Sequence, residues 1–233
     1  MLTKKTYESM GKNNFDWLKA TYHFSFADYY NPNHMNFGVL RVFNDDIIGA
    51  NTGFQTHPHN DMEIITYVVD GQLTHADSMG NERKVGRGGV QYMSAGTGVF
   101  HSEHNMEDAS IRTLQIWIIP DRKGHTPSYG DHGFQAEDRK NKWLHIVSSK
   151  LGDAPIKINQ DVNFYVLELD KENEIRFAVD GKRQAYLVQI EGSSQVNDIV
   201  LTKRDALEII EEDISIRASE DSHYIIIEME KEK

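Results

Sequence analysis

The 233-residue sequence predicts an all-β protein built as a sandwich or a barrel. Three observations lead there. Runs rich in β-branched and aromatic residues recur along the chain. Gly, Asn and Asp punctuate those runs, and sustained helical periodicity is nearly absent.

In chain order, strands are expected at 37–45 (FGVLRVFND), 62–71 (MEIITYVVDG), 89–96 (GVQYMSAG), 112–120 (RTLQIWIIP) and 142–149 (KWLHIVSS). Four more follow at 163–170, 174–180, 184–192 and 223–231. Short helices are expected around FSFADYY (24–30) and RDALEII (204–210). The segment 120–142 is polar, holds two of the five prolines and lacks a strand pattern. A connection that long reads as an inter-domain crossover or a lid. It divides the chain into expected domains 1–135 and 136–233.

Composition excludes several classes. There is no cysteine, so disulfides and thiolate metal sites are ruled out. The net charge is −11, and residues 150–233 carry 11 Lys/Arg against 19 Asp/Glu. That surface does not track phosphates, and no nucleic-acid partner is expected. No apolar run is long enough for a membrane-spanning helix, and the polar N-terminus lacks a signal-peptide core. A cytoplasmic monomer without a membrane partner is therefore expected.

The chemistry concentrates between 57 and 104, where five of the 11 histidines lie. His57 and His59 are two apart, and so are His101 and Glu103. Alternate residues of a strand share a face, so each pair projects together. If both pairs face one barrel interior, three imidazoles and a carboxylate converge. A lone H-x-H is more often packing; two such pairs beside Gly-rich turns are hard to explain that way. Nitrogen and oxygen donors suit Fe, Ni, Cu, Mn or Zn. Four protein ligands in an octahedral shell leave room for substrate or O₂. Glu63 shares strand parity with His57 and His59, and competes for the carboxylate role or orients an imidazole. His75 and His104 read as surface groups or as supports for the ligands. Gly96 and Gly98 read as a tight turn that aims His101 inward, since no helix follows for a phosphate loop. Phe54, Tyr67, Phe100 and Trp117 lie on or near these strands, as core or as a stacking wall for a flat substrate.

An internal echo pairs Gly71 with Gly192 at an offset of 121. At that offset His57, His59, His101 and Glu103 fall on Ala178, Asp180, Ser222 and Tyr224, so a second copy would hold no ligand.

The stretches HFSFADYYNP (23–32), GFQTHPHNDMEIITYVVDGQLTHADSMGN (53–81), GVQYMSAGTGVFHSEHN (89–105) and LQIWIIP (114–120) resemble the pirin family of the cupin superfamily over about residues 20–120. The resemblance implies a cupin barrel, a double-stranded β-helix paired with a degenerate second copy in a bicupin. It implies His57, His59, His101 and Glu103 as ligands of one divalent transition metal, Fe first, with Ni, Cu, Mn, Zn and Co as alternatives. Bacterial members are associated with quercetin 2,3-dioxygenase activity, so the implied substrates are a flavonol-like aromatic and O₂, with Glu103 also a transient base. The alternative the family offers is a metal-bearing redox sensor that binds a protein partner without catalysis. Asn60 stands where many relatives carry a basic residue, which leaves room for different substrate contacts.

Overall fold

The computed structural model describes residues 1–231. Among them, helix is confined to two 3₁₀ turns, Tyr7–Ser9 and Ala136–Asp138, and everything else regular is strand. No helix is long and apolar enough to cross a membrane. The chain forms two compact units. One comprises Gly11–Phe134 with Ile158–Gln160; the other comprises Met1–Met10, Gln135–Lys157 and Asp161–Lys233.

The first unit pairs a seven-stranded sheet with a four-stranded one. The larger runs in the order Ser128–His132, Val90–Ser94, Glu63–Asp70, Ile111–Ile118, Leu40–Ile48, Leu18–Tyr22, Gly11–Asn14. The smaller runs Thr52–His59, Val99–Asn105, Gln72–Asp77, Glu82–Gly86. All these pairings are antiparallel. The second unit repeats the plan. Its larger sheet runs Leu2–Lys5, Ala206–Ile210, Arg183–Glu191, Ser222–Glu230, Val162–Leu169, Leu144–Ser149, Ile156–Ile158. Its smaller sheet runs Glu174–Phe177, Ile214–Ala218, Ser193–Val196, Ile199–Thr202. Both units are cupins, so the protein is a bicupin.

The repeat is visible at its glycines. Gly71 (φ +81°) links Glu63–Asp70 to Gln72–Asp77, and Gly192 (φ +77°) links Arg183–Glu191 to Ser193–Val196. Each passes the chain from the large sheet to the small one through a left-handed conformation that other residues enter only with strain. A Cβ on Gly71 would strike the Ile111 side chain, and one on Gly192 would strike Asp221 and Ser222.

The constant offset of 121 does not persist beyond the glycines, because the chain to the next ligand-bearing strand is eight residues shorter in the second unit. Register supplies the true matches. Glu103 lies opposite His75 and Ile216 opposite Val196, each partner four residues past its glycine. His101 lies opposite His57, and Ile214 opposite Phe177. The positions equivalent to the candidate ligands are therefore hydrocarbon. Ile214, Ile216 and Val179 belong to a buried cluster with Leu187, Leu207 and Ile226, and Phe177 packs on it.

Three local expectations are corrected. FSFADYY is not helical: Phe26 and Tyr29 bond each other reciprocally at 3.0 Å around Ala27, which has φ +49°. RDALEII is not helical either. Ala206–Ile210 sits between two strands, Leu2–Lys5 and Arg183–Glu191. Ladder pairing with both neighbours, which the local sequence does not encode, decides its conformation. Within 120–142, Ser128–His132 is an edge strand on Val90–Ser94 despite its turn-like SYGDH sequence; pairing rather than propensity creates it.

Gly71→Ala and Gly192→Ala should each cost about 1–3 kcal/mol of unfolding free energy. Urea denaturation of the two variants checks this, with comparable losses expected at both positions because the two turns do the same job.

Candidate metal centre

The centre is built on two neighbouring strands of the small sheet. Val99–Asn105 alternates cleanly: Val99, His101, Glu103 and Asn105 are buried, while Phe100, Ser102 and His104 are not. Thr52–His59 runs antiparallel to it, with His57 opposite His101 and His59 opposite Val99. The register slips by one residue between His101 and Glu103, a bulge that sets Phe54 opposite Glu103. Gly53 makes that fit, since a Cβ there would strike the Glu103 carbonyl and lie 2.6 Å from His104 Cα. The turn before His101 forms as expected, with Gly98 N donating to Ala95 O at 2.8 Å and Thr97 N to His125 O at 3.0 Å.

Side-chain nitrogens of His57, His59 and His101 lie within 4.8 Å of one another. Their ring centroids are 4.5–4.9 Å apart. His57 Nδ1 donates to Gln55 O at 2.7 Å, because a carbonyl can only accept, and this leaves its Nε2 lone pair free for the centre. His101 is 1% exposed, and neither of its ring nitrogens has a hydrogen-bond partner. Burial, then His57 and His75 nearby, push His101 down to about 3. Burial, then His101 and His57, push His59 down to about 4. Both rings are thus neutral at neutral pH, which is the form that binds a metal. Buried nitrogens left unpaired are costly, and a cation at their common focus would satisfy them. The donor set fits a transition metal.

Glu103 is 2% exposed and clamped by three donors. Thr66 Oγ1 and Gln91 Nε2 donate to its Oε1 at 3.0 and 3.1 Å, and Gln115 Nε2 donates to its Oε2 at 2.5 Å. Its carboxylate groups within 4.8 Å with nitrogens of His75 and His101. The register matches of Thr66, Gln91 and Gln115 in the second unit are Leu187, Leu207 and Ile226. The whole polar clamp, and not only the ligands, is absent there.

Two residues sit differently from their sequence reading. Glu63 is 1% exposed and accepts from Tyr92 Oη (2.6 Å), Ser94 Oγ (2.6 Å) and Asn159 N (2.9 Å). None of these is a candidate ligand. The parity shared with His57 does not carry across the turn at Asp61 (φ +48°), which moves the chain to the other sheet. Of the two readings of His75, surface group or support for the ligands, burial removes the first: it is fully buried, donates Nε2–H to Asp77 Oδ2 at 3.0 Å and stacks on Tyr129 at 4.7 Å. The signal for it was a third i, i+2 pair, His75-Ala-Asp77, on the strand opposite Glu103. His104 points outward, half-exposed.

A cavity of about 750 Å³ opens beside His57, His59 and Glu103. Trp17, Tyr22, Phe26, Phe54 and Trp117 wall it. Trp117 meets His59 edge-on at 4.8 Å, and its Nε1 donates to Gln115 Oε1 at 3.3 Å. Of the other aromatics singled out by sequence, Tyr67 is core and Phe100 is 55% exposed.

A cupin barrel with converging imidazoles on paired strands, a buried carboxylate and an aromatic cavity defines a metal-site cupin. The particular family follows from comparison. The family model described as Pirin matches residues 3–118, and that described as Quercetinase C-terminal cupin domain matches 145–229. The chain belongs to the pirin family. It is 43% identical to a pirin-like protein of Caulobacter vibrioides, covering 98% of this chain and 99% of that one. It is 38% identical to a quercetin 2,3-dioxygenase of Escherichia coli K12, again over 98% and 99%. The crystal structure of a bacterial pirin from Escherichia coli in complex with nickel(II) superposes with a TM-score of 0.93 at 37% identity, covering all of both chains.

Metal-free protein should lose stability as pH falls from about 6.5 to about 3. In the unfolded chain His59 and His101 take protons near 6.5, whereas the fold holds them off to about 4 and about 3. Across that window the unfolded state binds more protons, so folding weakens. Urea midpoints measured against pH check this, and His101→Gln should flatten the profile.

Proposed function

We propose that the chain is a metal-dependent dioxygenase that opens a flavonol-like aromatic enol with O₂, in the manner of quercetin 2,3-dioxygenase. The observation that carries this reading is the partnerless buried His101, in a trio of imidazoles beside an aromatic-walled cavity. Relatives bearing that activity in their names support it.

His57, His59, His101 and Glu103 are the residues that would hold the metal, with Fe first and Ni, Cu, Mn, Zn or Co as alternatives. Bound there, a divalent transition metal supplies Lewis acidity toward the enol oxygen and a route for electrons to O₂. The chain's own groups do the rest. Trp117, Phe54 and Trp17 hold the flat rings and keep water from the reacting carbons. Glu103 accepts the enol proton at a carboxylate oxygen and returns it to the product. Thr66, Gln91 and Gln115 keep that carboxylate in one orientation throughout. Both atoms of O₂ end in the product, one ring carbon leaves as carbon monoxide, and a depside remains.

Oxygen uptake by metal-loaded protein with quercetin tests this. His57→Ala and Glu103→Ala should abolish uptake and lower metal content while the fold survives. Gln115→Leu, which removes one donor from Glu103 and the acceptor of Trp117 Nε1, should cost about 10–100-fold in activity or metal affinity. No uptake across a panel of flavonols would shift the reading to the redox-sensing regulator, whose protein partner should then bind according to the metal's oxidation state.

A further inference from the structure

Asn44 and Asp46 lie two apart on strand Leu40–Ile48, and both line the cavity beside His57, His59 and Glu103. Asp45 between them faces the other way and is spent on Arg112, which donates to it from Nε at 2.8 Å and from Nη2 at 2.6 Å. Asn44 and Asp46 have no such partner. Each is 2% exposed, and the Oδ1 of each is buried without a hydrogen bond. Two adjacent buried side-chain oxygens without a partner, facing a chamber that Trp17, Phe54 and Trp117 also line, are costly unless something donates to them. Their register matches in the second unit, across from Ile226 and Tyr224, are Tyr165 and Leu167, so no acceptor pair recurs where there is no site.

We propose that Asn44 and Asp46 read a hydroxyl group on the substrate's aromatic rings, separate from the enol oxygen, and so make the cavity selective for ring-hydroxylated flavonols. This rests on the dioxygenase reading for the substrate class. The cavity alone would accept any flat ring of suitable size, since apolar walls discriminate weakly between shapes and hardly at all against a missing hydroxyl. Buried acceptors reverse that. A ligand without a donor leaves both oxygens dry and unpaired, whereas a phenolic hydroxyl supplies the missing bond.

The test is direct binding to the full-length Ni(II)-loaded protein under nitrogen, followed by quenching of tryptophan fluorescence, because Trp17 and Trp117 line the cavity. The probes are quercetin, 3-hydroxyflavone, and quercetin methylated at every hydroxyl except the 3-position. Quercetin should bind at least about tenfold tighter than either other probe. Asp46→Leu and Asn44→Leu, which keep side-chain size while removing the acceptor oxygens of each, should bring that ratio down to about threefold or less. Equal affinities for the three probes in the wild-type protein would overturn the proposal, and this comparison needs no variant to fold. Variants that keep their metal and the full wild-type ratio would overturn it as well. Selective binding without O₂ uptake would sink the dioxygenase reading and leave this one standing. Uptake without selectivity would do the reverse, and no binding of any probe would end both.

Discussion

The centre depends on one burden: an imidazole sealed from water with neither nitrogen satisfied. Protein interiors rarely tolerate such a group, because desolvation is not repaid by any bond. His101 carries that burden at 1% exposure. Its surroundings also make protonation unfavourable, so charge does not relieve it. The strand pairing keeps it in place. His57 is held across the ladder from it, and turning His101 outward would shift every other residue of Val99–Asn105 to the wrong face. The edge strand and its neighbour thereby hold nitrogens of His57, His59 and His101 within 4.8 Å of one another.

The carboxylate is handled in the opposite way. Glu103 is held by Thr66, Gln91 and Gln115, which come from three strands of the other sheet and leave one of its lone-pair directions open. The facing sheets of one barrel thus divide the labour. The small sheet presents the histidines and Glu103, and the large sheet orients the acid and supplies much of the chamber. Trp117 extends this chain of contacts, linking the wall of the cavity to Gln115 and through it to Glu103.

Much of this was legible from residue spacing. Period-two alternation placed His57 with His59 and His101 with Glu103 because each pair sits on one unbroken strand. The same rule failed for Glu63, where a positive-φ turn at Asp61 intervened and parity lost its meaning. It also undervalued His75, whose importance comes from lying across the ladder from Glu103, a long-range pairing that local sequence does not encode. The strand at Ser128–His132 and the one at Ala206–Ile210 escaped for a related reason: tertiary pairing, not propensity, decides them. The glycine echo was real, but a fixed offset could not follow connections of unequal length. Asn44 and Asp46 gave no sequence signal at all, since their interest lies in what does not bond to them.

The hydrocarbon filling of the second barrel has an implication for engineering. Placing counterparts of the four candidate ligands at Phe177, Val179, Ile214 and Ile216 would strand a carboxylate among the side chains of Leu187, Leu207 and Ile226, none of which can donate to it. Each substitution alone would bury a polar group without a partner, so both layers would have to be exchanged as a block. A second centre is therefore a two-layer problem: the residues that would bind and the residues that would hold them have to be exchanged together.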